Sequence, residues 1–225
     1  MSSQFLKGGV IAALFLFASD ARGYHLELEA QPAAVFPLFA KFGTIDIHVY
    51  DGGVRADTMW LDAFSRNGSD AITVMNPIVR LYGDMPIASI AGIIDSLGSI
   101  GEAERGAVAT LASKSQGKVG RLTATRHRLV YGDAYIDYWT TTQIPENPQL
   151  RRIVNELIAV VSPGTAATAK NIKGTPVYVE LNFRRFRKVA LVKLKRLTPG
   201  RADEAEGLSV GSFYLKAPLI DALWK

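Results

Sequence analysis

Few residues in this sequence could carry out hydrolytic chemistry. Gly207, Ser209 and Gly211 match the letters G-x-S-x-G of a serine-hydrolase nucleophile elbow. That elbow needs a strand before it, a helix after it and a histidine later in the chain. Here a strand-like run follows the motif, and the last histidine of the chain is His127. We therefore attribute the match to chance and predict no catalytic serine.

The sequence also predicts no metal site and no cofactor. None of the three histidines, His25, His48 and His127, lies on a predicted helix with a second histidine or a carboxylate at i+3 or i+4. The chain has no cysteine, which excludes thiol nucleophiles, Cys-ligated zinc, iron–sulfur clusters and disulfides. It has neither a G-x-G-x-x-G fingerprint nor a Walker A loop to hold a nucleotide.

Two aspartates lie in a predicted hairpin that is rich in tyrosine. A carboxylate pair formed by Asp133 and Asp137 could serve acid–base chemistry. A turn-capping Asp133 and a solvent-facing Asp137 explain the same pattern without catalysis. We therefore expect a non-enzymatic protein.

Composition and the N-terminal segment bound the class of protein. The 225 residues are 48% apolar and 21% charged, with a net charge of +5, which is typical of a folded globular chain. Residues 1–23 combine a short charged start, the apolar run Val10–Ala18 and small residues after it, the pattern of a secretory signal peptide. We expect export to the periplasm and one domain over residues 24–225. An uncleaved anchor or a buried terminal helix is the alternative for residues 1–23.

Alternation of apolar and polar residues predicts several strands. Ile45–Tyr50 and Val54–Leu61 form a hairpin around Asp51-Gly52-Gly53, with Val54, Ala56 and Trp60 on one face. Val119–Tyr131 and Ala134–Thr142 form a longer hairpin around Gly132-Asp133. Further short strands are predicted in three groups: 71–75 with 78–82, 177–183 with 188–197, and 209–215.

Helical spacing predicts helices between and after these strands. Ile87–Ser115 reads as two helices separated by a break at 98–101. Pro148 opens the clearest helix, which Ser162-Pro163-Gly164 ends. Thr165–Gly174 is small and polar, and we predict a surface loop there.

A run of cations and aromatic rings near the C-terminus could contact an anionic partner. Such mixtures bind nucleic acid, but an exported protein seldom meets it, so we expect no nucleic-acid partner. Protection of a sheet edge against aggregation, or contact with anionic lipid head groups or an acidic envelope protein, explains the run better. The residues assigned to such a partner or to peripheral membrane contact are Arg184, Arg185, Arg187 and Lys188.

The order of these elements resembles the LolA/LolB-like lipoprotein-carrier superfamily and the bacterial families that share its fold. The resemblance spans residues 44–218 and consists of layout and short phrases. Those phrases are Asp51–Asp57 (DGGVRAD), Ile72–Pro86 (ITVMNPIVRLYGDMP), Trp139–Pro145 (WTTTQIP), Gly174–Leu181 (GTPVYVEL) and Phe213–Pro218 (FYLKAP).

The resemblance implies an α+β fold, an incomplete antiparallel β-barrel (a half-barrel) whose helices cover the concave face. It also implies an apolar or lipid-like ligand, such as a lipoprotein acyl chain, in the cavity. The alternative for the cavity is that apolar side chains fill it themselves. The alternative function is an interaction module for another cell-envelope protein. The residues expected to line the ligand site are Ile45, Ile47, Val49, Trp60, Ile136, Tyr138, Val179 and Leu181 on strands, with Ile90, Ile94 and Leu97 on a lid.

Overall fold

A computed structural model describes residues 24–30, 44–89, 108–182, 188–199 and 207–218. About 56% of these residues lie in strands and 14% in two helices. The strands are β1 (Tyr24–Ala30), β2 (Ile45–Tyr50), β3 (Gly53–Asp57), β4 (Asp62–Arg66), β5 (Ala71–Asn76), β6 (Leu81–Pro86), β7 (Thr110–Val119), β8 (Leu122–Tyr131), β9 (Ala134–Thr141), β10 (Thr175–Asn182), β11 (Val189–Pro199) and β12 (Leu215–Lys216). The helices are α1 (Pro148–Val161) and α2 (Pro163–Ala169).

The strands form one sheet that is built from two meanders. Its order is β12-β6-β5-β4-β3-β2-β1-β11-β10-β9-β8-β7, so the strands β1–β6 are neighbours in sequence order and so are β7–β11. The meanders join where β1 pairs with β11. Every pairing is antiparallel except the short parallel contact of β12 with β6. Sequential antiparallel neighbours are what short hairpin connections produce.

The prediction of an α+β half-barrel is wrong. Within the described residues the sheet has twelve strands in an open order, with β12 at one end and β7 at the other, and it is not closed into a barrel. The fold is therefore closer to all-β than to α+β. One physical reason is the segment Thr110–Val119, which pairs with β8 along its whole length. The helical spacing that predicts helices over Ile87–Ser115 runs through the first half of this strand.

The first meander confirms the predicted hairpin around Asp51-Gly52-Gly53. Val49 pairs with Val54 across the turn, and Tyr50 pairs with Gly53. The hairpin around Gly132-Asp133 is confirmed as well, since Tyr131 pairs with Ala134 and Gly132 has a φ of 59°. Such a positive φ favours glycine because a Cβ atom crowds the backbone in this conformation.

Several local predictions fail elsewhere in the chain. The predicted loop Thr165–Gly174 begins inside α2, which starts at Pro163 directly after the capping residue Ser162. The predicted strand 209–215 is mostly turn and keeps only the start of β12. Trp60, predicted on one face with Val54 and Ala56, lies beyond β3 in the turn that leads to β4 and is 44% exposed.

One face of the sheet, called the inner face below, packs against the two helices. Leu150, Val154 and Ile158 of α1 are fully buried in the main apolar cluster, together with inner-face residues of β1, β2 and β8–β11. The spacing i, i+4, i+8 places these three side chains on one stripe of the helix. Burial of each such side chain stabilises the fold by about 1.5–3 kcal/mol.

The opposite, outer face is crossed by the segment 207–218, called the tail below. Leu208 packs with Tyr50, Phe64 and Met75 in a second apolar cluster. The backbone oxygen of Leu208 accepts hydrogen bonds from the Arg66 guanidinium at 2.8 and 3.2 Å. The tail ends in β12 at the β6 edge.

Within the described ranges, no helix is both long enough and apolar enough to cross a bilayer.

Candidate functional site

Most of the apolar residues expected to line a ligand site belong to the main core. Ile45 is partly buried and packs against that core, whereas Trp60 lies outside it. The three lid residues Ile90, Ile94 and Leu97 lie outside the described residues. The expected residues that are buried in the main apolar cluster are Ile47, Val49, Ile136, Tyr138, Val179 and Leu181.

Tyr138 is the polar member of this set. Its side chain is fully buried (0% exposed), and its hydroxyl has no hydrogen-bond partner among the described residues. It pairs with Val179 of β10 on one side and with His127 of β8 on the other. Burial raises the pKa of the Tyr138 phenol far above its usual value. The phenol therefore stays neutral and remains a hydrogen-bond donor.

His127 adds a second buried polar atom beside Tyr138. Its Nε2 lies 3.2 Å from the hydroxyl of Thr140, while its Nδ1 is buried without a partner in the described part of the chain. Burial lowers the pKa of His127, and the charge of Lys114 lowers it further. A neutral imidazole has one donor and one acceptor nitrogen. Tyr138 and His127 together thus offer two unused hydrogen-bonding positions on neighbouring strands of the sheet.

A charged row runs across the outer face of the first meander. Arg55 lies between two carboxylates: its Nε donates to Asp57 at 2.6 Å and its Nη2 donates to Asp62 at 3.0 Å. The imidazole of His48 lies 3.5 Å from Asp57. Burial and the neighbouring Asp57 raise the pKa of Asp62, and Arg55 partly opposes this change.

His25 and His48 lie side by side, a contact that the sequence did not predict. Nε2 of His25 lies 3.0 Å from Nδ1 of His48, and the two rings stack. The chain separates them by 23 residues, so only the register of β1 against β2 brings them together. No group of three histidine or acidic side chains within the described ranges is arranged to hold a metal ion.

The charged row ties strands and tail together. Arg55 links β3 to β4 and also donates to the backbone oxygen of Gly207 at 3.4 Å. Gly207 leaves no room for a side chain, because an added Cβ would lie 2.6 Å from the hydroxyl of Tyr50. Ser209 follows in the tail, and the residues after it form a turn and β12, not the helix that a nucleophile elbow requires.

The aspartates of the second hairpin do not form a carboxylate pair. Asp137 was predicted to face solvent, but it is buried and accepts two hydrogen bonds from Arg128 at 2.6 and 2.7 Å. That bidentate geometry is the strong form of an arginine–carboxylate contact. Asp133 is exposed in the turn at the end of the hairpin.

The basic cluster lies largely outside the described residues, which include none of Arg184, Arg185 and Arg187. Lys188 is exposed and has a φ of 54° directly before β11. On β11 itself, Lys195 forms an ion pair with Asp46 of β2 at 2.6 Å. This exposed pair contributes little to stability.

Comparison with known proteins gives fold-level likenesses of low score. No protein-family model and no curated protein matches the sequence. The structure is similar to an uncharacterised conserved protein from Thermus thermophilus, with a TM-score of 0.45 and 7% identity, over 92% of this chain and 99% of that chain. It is also similar to PNGF-II, with a TM-score of 0.44 and 8% identity, over 90% of this chain but 33% of that one.

Proposed function

We propose that the protein is a non-enzymatic binding protein of the cell envelope that holds an apolar, lipid-like ligand between the inner face and the helices. The observation that carries this proposal is the pair of unused polar atoms on Tyr138 and His127. Buried polar atoms in folded proteins are nearly always hydrogen-bonded. The carboxyl or ester group of an amphipathic ligand would satisfy such atoms.

The surroundings of this pair suit the apolar part of such a ligand. Val179 of β10 pairs with Tyr138, and the next inner-face pair along β8 and β9 is Leu129 with Ile136. The side chains of Val179, Leu129 and Ile136 are apolar and fully buried. A site with apolar walls and a few placed polar groups is the usual form of a small-molecule site. The resemblance to lipoprotein carriers and the signal-like segment 1–23 favour the same ligand class and an envelope location.

Extraction of the purified protein and mass spectrometry of the extract test this proposal. We expect a co-purifying lipid-like molecule in the wild type and a smaller amount in Tyr138→Phe. The ligand-free variant should unfold at the same temperature as the ligand-free wild type or higher, because the change removes a buried hydroxyl that has no partner in the described ranges.

Tyr24→Phe is a matched control in the same apolar cluster. The Tyr24 hydroxyl donates to the backbone oxygen of Pro145 at 3.0 Å, so its loss should lower the unfolding temperature without lowering ligand content. Absence of any apolar ligand from the wild-type extract, together with no binding of an added fluorescent fatty acid, would overturn the proposal.

A second candidate function is supported by the edge strand β7. Within the described ranges this ten-residue strand pairs with β8 alone, and most of its side chains are exposed. Its outward backbone groups could accept an added strand from another envelope protein. A photo-crosslinker placed at Gln116 should then capture a partner protein, whereas one placed at the exposed Thr142 should capture less of it. Binding of the captured partner should also slow hydrogen exchange of the β7 backbone amides. Equal capture at both positions would contradict this function.

A further inference from the structure

A cavity of about 310 Å³ lies beside the helices. It is lined by Arg151, Arg152, Asn155 and Glu156 of α1 and by Lys170. The four α1 residues share one side of the helix, because positions i, i+1, i+4 and i+5 are adjacent on its surface. Lys170 is the residue that caps the C-terminal end of α2. The cavity therefore forms where the two helices meet.

Cations dominate the walls of this cavity. Lys170 is exposed and has no acidic partner among the described residues. Arg152 forms an ion pair with Asp70 at 2.5 Å and donates to the backbone oxygen of Ser69 at 3.3 Å. The Asp70 side chain is 90% exposed, and such a solvated pair is weak. An incoming anion can therefore compete with Asp70 for the Arg152 guanidinium.

Two further wall residues hold polar atoms that the described chain leaves unsatisfied. Asn155 is 4% exposed, and its Oδ1 has no hydrogen-bond partner within the described ranges. Arg151 forms an ion pair with Glu146 and donates to the backbone oxygen of Gly174 at 3.3 Å, yet its Nε is buried without a partner there. Buried polar atoms in folded proteins are nearly always hydrogen-bonded, so each of these two atoms needs a partner that the described chain does not supply.

We propose that this cavity binds a phosphate group that is attached to a small hydroxyl-bearing alcohol such as glycerol. Guanidinium groups match the oxygens of a phosphate in charge and geometry, and a lysine adds a mobile positive charge. The volume lies at the lower end of the range of small-ligand sites, which leaves room for more than a bare ion. The amide of Asn155 can donate to the phosphate or accept from a hydroxyl.

Two substitutions in the cavity wall, at Glu156 and at Lys170, should change the affinity for phosphate in opposite directions. The Glu156 carboxylate opposes an anion, so Glu156→Gln should tighten binding, whereas Lys170→Gln should weaken it by about tenfold through loss of one charged contact. Lys173→Gln is the matched control, because Lys173 is an exposed lysine outside the cavity and its loss should leave binding unchanged.

The experiment is calorimetric titration of the full-length protein with glycerol 3-phosphate and with inorganic phosphate, and co-sedimentation with phosphatidylglycerol and phosphatidylcholine vesicles. We expect saturable binding of glycerol 3-phosphate that weakens with added salt. Tighter association with phosphatidylglycerol than with phosphatidylcholine vesicles would identify a lipid head group as the source of the phosphate. Equal association with the two kinds of vesicle would identify a soluble ligand. No saturable binding in any arm, or equal effects of Lys170→Gln and Lys173→Gln, would overturn the proposal.

This site stands independently of the inner-face site. Tyr138→Phe should leave phosphate binding unchanged, and Lys170→Gln should leave the amount of co-purifying apolar ligand unchanged. Failure of one proposal is therefore distinguishable from failure of the other.

Discussion

The rings of His25 and His48 stack with an angle of 9° between their planes, and Nε2 of the first lies 3.0 Å from Nδ1 of the second. One proton can bridge these two nitrogens, whereas a proton on each would set two N–H donors against each other with no acceptor between them. Tyr50 also stacks on His25, at 5.2 Å between ring centroids. The stack is therefore compatible with at most one imidazolium in that bridge.

We predict that acid destabilises the folded protein below about pH 6.5, the ordinary pKa of histidine. Burial and then His48 lower the pKa of His25, while burial and then Lys114 lower that of His127. The unfolded chain therefore binds protons more readily, and the free energy of unfolding falls as the pH drops through this window. Urea denaturation at a series of pH values measures it. His25→Gln should flatten part of the slope, and a wild-type stability that rises on acidification would contradict the prediction.

A second prediction concerns the carboxylates on either side of Arg55. Asp62 has a raised pKa, so its charged form is disfavoured by folding, and its contribution to stability falls as the pH rises above about 3.8. Asp62→Asn removes that charge and keeps an oxygen for Arg55. We expect a higher free energy of unfolding for this variant at pH 7, measured by urea denaturation.

Asp57→Asn serves as the matched control for Asp62→Asn. Asp57 accepts from Arg55 at 2.6 Å and lies near His48, so its neutralisation should lower stability. If both variants were equally destabilised at pH 7, burial would not be the dominant influence on Asp62.

A third prediction tests how α1 is attached to the sheet. Asn147 is buried at the N-cap, where its Oδ1 accepts from the backbone N–H of Leu150 at 2.9 Å and its Nδ2 donates to the backbone oxygen of Tyr50 at 2.8 Å. Asn147→Ala should lower the free energy of unfolding by about 2–4 kcal/mol, because it removes the cap and leaves buried groups unpaired.

Asn147→Ser separates these two roles. A serine keeps the N-cap acceptor but does not reach Tyr50 as an amide does, so we expect an intermediate loss of stability by thermal denaturation. A loss as large as that of Asn147→Ala would show that the bond to Tyr50 dominates and would contradict a significant role for the cap.

The sequence predicted the elements whose conformation depends on turn residues, capping residues and the spacing of apolar side chains. The turn residues Gly52 and Gly132 indicated their hairpins, and Pro148 with the apolar stripe behind it indicated α1 to within its ends. The prediction for β7 was wrong because Leu111 continues a helical spacing, while pairing with β8 decides the conformation. Tertiary pairing commonly overrides such weak local preferences.

Site residues were harder to predict because alternation does not distinguish a core position from a cavity wall. Val179 and Leu181 satisfy the pattern for either role, and both are fully buried in the core. The contact of His25 with His48 depends on strand register, which a single sequence does not reveal at that separation. The cavity beside Lys170 needs the packing of α2 against α1, and a loop was predicted there from the sequence.

The pairing of β1 with β11 has a consequence for the order of events in time. Synthesis from the N-terminus completes β1 at Ala30, but its partner is complete only at Pro199. Until then the side of β1 that faces β11 is an open strand edge, which is a template for wrong pairing. Joining strands from distant parts of a chain is also slow. The nascent protein is therefore most vulnerable to aggregation during the interval before its eleventh strand emerges.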